Sequence, residues 1–156
     1  MSANSQLTMA VHALCWLELA ARRGRSSLTS SEIAASLANN PVQVRRSLGR
    51  LRDAELVSVT GRGPGAGWTL ARPAEAVTLF DVYDALGDTG PFALHAHDPN
   101  PECTVGGGIR PVLETVYDGV RDVMAQQLRA TTIAGVLEEI LANDEAGSAA
   151  RDSLRA

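Results

Sequence analysis

Residues 40–72 read NPVQVRRSLGRLRDAELVSVTGRGPGAGWTLAR, and the organisation of the whole chain follows from this stretch. Asn40 is suited to cap a helix, and Pro41 to fill its first position, where a missing N–H costs nothing. From there to about Ala54, Val44, Leu48 and Leu51 recur with the helical period and predict a core-facing stripe. Arg45, Arg46, Gly49, Arg50 and Arg52 occupy much of the remaining surface, and only Asp53 opposes them inside the helix. Leu56–Val59 and Gly67–Leu70 are short strand-like runs. Between them Gly61, Gly63, Pro64, Gly65 and Gly67 supply the permissive backbone of a hairpin tip. A phosphate-cradling loop would need a Lys-Ser/Thr pair and a following helix. This stretch has neither.

Immediately upstream, Thr29-Ser30-Ser31-Glu32 has capping-box spacing, and Ile33, Ala34 and Leu37 give a short helix with a buried stripe. Asn39-Asn40-Pro41 ends that helix and starts the next within a tight turn, as in a helix-turn-helix. On that geometry Asn40, Val42, Gln43, Arg45 and Arg46 fall where a recognition helix meets base edges in the major groove. Gln pairs with adenine there and Arg with guanine. Arg62 and Gly63 sit at the hairpin tip, where an arginine can enter a minor groove or hold a phosphate. Thr29, Ser30 and Arg50 complete the expected DNA-contacting set. A solvated charged face is the bland reading of such a helix; the one-sided Arg surplus and the preceding helix-turn-helix weigh against it.

The net charge of −4 looks unsuited to nucleic acid until it is divided by position. Residues 1–77 hold nine Arg against five Asp/Glu, whereas 78–156 hold five Arg against thirteen Asp/Glu. The basic half suits a phosphate backbone, and the acidic half suits solvent or another copy. No apolar run is long enough to span a bilayer, and no secretory signal is evident, so a cytoplasmic location and no membrane partner are expected. Two distant cysteines make no disulfide framework.

Ser5 is a candidate cap for a first helix running to about Arg22. That helix is apolar nearly all round, which predicts packing on the N-terminal unit and also on the C-terminal helices. After the hairpin, Thr78 caps a helix to about Leu86. Residues 87–108 then form a long loop without periodicity. Ile109, Val112, Leu113, Val116, Val120, Val123 and Met124, with Tyr117 and Leu128, mark one apolar stripe on a long helix. A second copy is its expected partner, since a palindromic DNA site requires two-fold symmetry. Thr131 or Thr132 caps a last helix, and from about Asn143 the composition predicts a disordered tail. The fold class expected is mainly α with a small β-hairpin: a winged helix-turn-helix domain over 1–77, a helical dimerisation region over 78–143, and the tail over 144–156.

These segments resemble the Rrf-type (BadM-type) winged-helix regulators of bacteria. The resemblance rests on Thr29-Ser30-Ser31-Glu32-Ile33-Ala34, Arg50-Leu51-Arg52, Leu56-Val57-Ser58 and Arg62-Gly63-Pro64-Gly65-Ala66-Gly67-Trp68. It continues through Leu70-Ala71-Arg72-Pro73 and Thr78-Leu79-Phe80-Asp81-Val82, over roughly residues 6–142. It implies a homodimeric transcription factor, usually a repressor, whose third helix and wing bind double-stranded DNA. Three departures stand at Glu55, Ala66 and Trp68, where the family usually has Gly, Gly and Tyr. A further departure concerns the loop. Cluster-bearing members place three cysteines there, whereas this chain has only Cys103, so no iron–sulfur cluster and no other cofactor is expected. His95, His97 and Cys103 match no strong zinc signature.

Some members sense oxidants through a cysteine in the first helix, and Cys15 resembles that position as a candidate redox sensor. Its place beside Trp16 in mid-helix argues for a small buried core residue instead. Two other functions compete with this reading: a winged-helix module that binds protein without DNA, and a thiol hydrolase built on Cys103 with His95 or His97. The latter lacks a rigid framework and a third orienting group, so no catalytic residue is expected. Neither the effector nor the operator is legible from the residues.

Overall fold

A computed structural model describes residues 3–87 and 90–153. Six helices and three short strands follow in the order α1 (Ala3–Arg22), β1 (Leu28–Thr29), α2 (Ser30–Ser36), α3 (Pro41–Asp53), β2 (Val57–Thr60), β3 (Gly67–Leu70), α4 (Leu79–Ala85), α5 (Thr104–Arg129) and α6 (Ile133–Ser153). The fold is thus mainly helical, as expected, but the hairpin belongs to a three-stranded antiparallel sheet of order β1-β3-β2. Trp68 pairs with Leu28 on one side and Val59 on the other. Strand β1 is two residues long and carries no alternation by which the sequence could announce it.

The caps of α2, α3 and α4 are those the residues predict. Thr29 accepts from the Glu32 amide at 3.3 Å while the Glu32 carboxylate accepts from the Thr29 amide at 2.8 Å. The Thr78–Asp81 pair repeats this arrangement at the start of α4. Asn40 caps α3 by accepting from the Val42 amide at 2.8 Å, with Pro41 as the first helical residue. Helix α3 ends where the Leu56 amide donates to the Leu51 carbonyl and Glu55 turns left-handed at φ 58°. That position is the usual seat of glycine after a helix, and a side chain there costs about 1–2 kcal/mol. A glycine there, which the resemblance would expect, avoids that cost.

One core runs through the molecule. Leu14 and Leu17 of α1, Ile33 of α2, Leu48 and Leu51 of α3, Val57 and Trp68 of the sheet, Val82 of α4 and Ile133 and Leu137 of α6 are all buried in it. Helix α1 is the common element, packed on the sheet, α4 and α6. This agrees with its nearly all-apolar surface. Ahead of α6 the chain is stitched to the linker before α4: Ile133 N donates to the Val77 carbonyl and Leu79 N to the Thr131 carbonyl, both at 2.9 Å.

Three boundaries differ from the sequence expectation. Helix α1 begins before Ser5, so Ser5 lies within it. Helix α5 starts at Thr104, which shortens the described part of the loop to residues 87 and 90–103; Asp88 and Thr89 lie outside the described residues. Three glycines made residues 106–108 look unhelical, but Gly106 is needed there. A Cβ on it would meet the Asn100 carbonyl oxygen at 2.3 Å, so the loop folds directly over the first turn. Finally, helix α6 continues to Ser153 in place of the disordered tail expected from about Asn143, and 154–156 lie outside the described residues. The alanines there are strong helix formers, and continuation from an anchored helix removes the cost of nucleation.

Candidate nucleic-acid interface

Helix α3 buries Val44, Leu48 and Leu51 and turns Val42, Gln43, Arg45 and Arg46 outward. Val42 is 64 % exposed and so is free to meet a partner surface. Arg45 donates to the Pro41 carbonyl at 3.3 Å within its own helix. Arg46 and Arg62 have no ion pair among the described residues, and both are exposed. Arg62 precedes a short 3-10 turn, Gly63–Gly65, at the hairpin tip; Gly63 there has φ 71°, and the turn lies beside α2.

The other expected contact residues sit differently. Ser30 is 3 % exposed and turned into the core, because the first turn of α2 packs inward; this removes it from the interface. The Thr29 hydroxyl is held by Glu32, donating to its carboxylate at 2.9 Å, and the Asn40 side-chain oxygen is committed to the cap. Arg50 is half-buried, with Nη1 donating to the Leu86 carbonyl at 3.0 Å and to Gln6 Oε1 at 3.3 Å. It braces α3 against α1 and the end of α4. Periodicity alone had no signal for Gln6, which is polar and distant in sequence.

The apolar stripe of α5 divides in two. Val112, Val116, Val120 and Val123 are 63, 53, 39 and 68 % exposed, and Val105 lies on the same line at 66 %. Ile109, Leu113 and Met124 are half-buried; on a helical wheel Ile109 falls at the edge of the valine line, with Leu113 and Met124 roughly 60–90° round from its centre. Ile109, Leu113 and Tyr117 meet the chain's own loop at Ala93–His95, and Phe92 lies 5.1 Å from the Tyr117 ring. Arg129 stacks over Phe80 at 3.8 Å and fixes the far end of α5 to α4. No residue of α5 is buried, although the helix is 26 residues long.

Cys15 is buried, with its thiol 3.8 Å from the Ile133 carbonyl. Burial, then the Glu18 charge, pushes its pKa up to about 11. The exposed Cys103 is the opposite case, its thiolate favoured by the Gly106 and Val105 amides at the start of α5. Iodoacetamide at pH 8 is therefore expected to alkylate Cys103 first, with native Cys15 slower by about 100-fold. Comparable rates in a mass-spectrometric time course would contradict the burial of Cys15. Among the described residues no group of three or more His, Cys, Asp or Glu is placed to hold a metal. No described helix is long and apolar enough to cross a membrane.

The Rrf2 family, described as iron-dependent transcriptional regulators, matches residues 3–139. YwnA of Bacillus subtilis, named as an HTH-type transcriptional regulator, is 32 % identical over 139 residues, which covers 88 % of this chain and 98 % of YwnA. Among solved structures, one described as a DNA binding protein is 27 % identical with a TM-score of 0.63, covering 85 % of this chain and 98 % of its own. A protein of Lactobacillus plantarum described as a transcriptional regulator has a TM-score of 0.71 over 95 % of this chain and 97 % of its own. At 22 % identity that match speaks for the fold alone.

Proposed function

Since the chain belongs to the Rrf2 family of DNA-binding transcriptional regulators, we propose that it works as a homodimer, probing a two-fold symmetric DNA site with two copies of α3 and two wings. The observation that carries this reading is the pairing of outward Arg45 and Arg46 on α3 with an exposed Arg62 at the wing tip, without acidic partners. Val42, Gln43, Arg45 and Arg46 are the base-edge candidates, and Arg62 with Gly63 the minor-groove or backbone clamp. Residues 1–77 form the DNA-reading unit and 78–143 the dimerisation region. The exposed valines of α5 supply the dimer seam, with Ile109, Leu113 and Met124 flanking it. Repression by occupying a promoter is the mode assigned.

An iron–sulfur centre does not fit this chain. It has two cysteines in all, and Cys15 is buried in α1 far in sequence from Cys103, where such a centre needs about three or four thiolates. Control by iron through that chemistry is not part of the proposal. A hydrolase is disfavoured because, among the described residues, no hydrogen bond joins Cys103 to either His95 or His97.

Selection of bound fragments from genomic DNA by the purified protein supplies the operator for the test. Binding to that site is then expected to fall with salt with a log–log slope of about −5, the value reached when Arg45, Arg46 and Arg62 of both copies each displace one counterion from the DNA. Arg62→Ala is expected to weaken it by about 10–100-fold and to make the slope shallower. Absent or salt-independent binding favours a protein-interaction module instead.

A further inference from the structure

We propose that the cleft between α1, α3 and the end of α4 binds a small organic acid that regulates the DNA-reading helix. This rests on the role given to α3 above. The cleft encloses about 250 Å³. That is below the roughly 300–1,000 Å³ of sites for drug-sized ligands, and suits a metabolite. Helix α1 contributes Gln6 and Met9, α3 contributes Arg46, Ser47 and Arg50, and Leu86 closes the far side.

The charge in this cleft is uncompensated. Arg50 is held rigidly through Nη1, but both its acceptors, Gln6 and the Leu86 carbonyl, are neutral. Arg46, one turn earlier, has no ion pair among the described residues, and no carboxylate lines the walls. A guanidinium pinned at one nitrogen keeps the rest of its planar fork for a carboxylate, which it grips through two parallel bonds. Beside it, the Ser47 hydroxyl is buried and has no hydrogen-bond partner among the described residues. An unmade bond of that kind is costly, and an anion seated on Arg50 supplies the missing acceptor.

The floor of the cleft distinguishes an organic acid from a bare inorganic anion. Ser47 and Met9 also line a recess of about 10 Å³ whose other walls include Ala13 and Leu37. It is apolar and scarcely wide enough for one water. Met9 is unbranched, and its one polar tie is the weak bond its sulfur accepts from Asn39 Nδ2 at 2.7 Å, so a short alkyl group attached to the carboxylate can press into the recess by shifting it. A phosphate of bound DNA shares the anionic chemistry but has nothing to place there. An acid seated there neutralises Arg46, which faces DNA, and engages Arg50, which braces α3, so acid and operator are expected to weaken each other reciprocally.

The test titrates the DNA-free, full-length protein with acetate, butyrate, hexanoate and sulfate at constant ionic strength, following amide NMR shifts. Saturable shifts at Met9, Ser47 and Arg50 are expected, tighter by about tenfold for butyrate than for acetate. Arg50→Gln is expected to abolish them. Arg46→Gln, on an exposed residue that cannot compromise the fold, is expected to weaken butyrate at least severalfold. Absence of saturation, indifference to both substitutions, or equal response to sulfate and butyrate overturns the proposal. So does a loss of DNA affinity in Arg50→Gln without any carboxylate binding, which makes the cleft a seat for a DNA phosphate and leaves the role of α3 standing. Failure of the wild-type protein to bind DNA at all overturns that role instead, and the titration, made without DNA, is read independently.

Discussion

Val116→Asp combined with Val123→Asp is expected to turn the proposed dimer into a monomer and to lower operator affinity by about 100-fold or more. Both side chains are more than half exposed within one chain, so the charges meet water there and the chain's own core is untouched. In the proposed seam they lose that water. A buried carboxylate without a partner costs several kcal/mol, and each copy would bring two of them. Once the halves separate, the second half-site is no longer presented at the high effective concentration that linkage provides, a factor of about 10²–10⁴. Sedimentation equilibrium gives the assembly state and fluorescence anisotropy gives the affinity. A variant that remains dimeric with unaltered DNA binding would remove α5 from the interface and place the symmetry elsewhere.

Leu48→Ala is the substitution expected to cost most in stability, about 2–5 kcal/mol. Leu48 is 1 % exposed and joins α3 to the common core. Removing its branch leaves a void that the surrounding helices close only in part. For a chain of this length each kcal/mol lowers the melting temperature by about 2–4 °C, so a fall of about 4–20 °C is expected. Calorimetry measures it directly. A fall below about 2 °C would mean that α3 is not seated as described.

What could be foreseen and what could not divide along physical lines. Capping is local chemistry: Thr29 with Glu32, Asn40 with Pro41, and Thr78 all act within a few residues, so their helices could be placed from the string of letters alone. The apolar period of α3 likewise identified its buried face. Tertiary placement escapes such reasoning. Ser30 reads as an exposed helix start, yet packing rotates it inward. Arg50 reads like its neighbours Arg45 and Arg46, yet Gln6 and Leu86 capture it. The apolar residues of α5 form one broad stripe on paper. In three dimensions the chain's own loop shelters Ile109 and Leu113 and leaves the valines bare. Glycines misled most, since Gly106 stands inside a helix for lack of room rather than for freedom of backbone.

The stitch that joins Val77 and Leu79 to Thr131 and Ile133 has a consequence for how such a protein can be inherited. Ile133 and Leu137 lie in the same core as Leu14 and Val82, so α6 supplies part of the wall behind α1. A recombination event that carried away residues 1–77 alone would transplant an unfinished interior, with α1 stripped of one neighbour. The reading head and the last helix must travel together. Between them α5, which buries no residue, carries the proposed seam, whose exposed valines can be exchanged without disturbing the core.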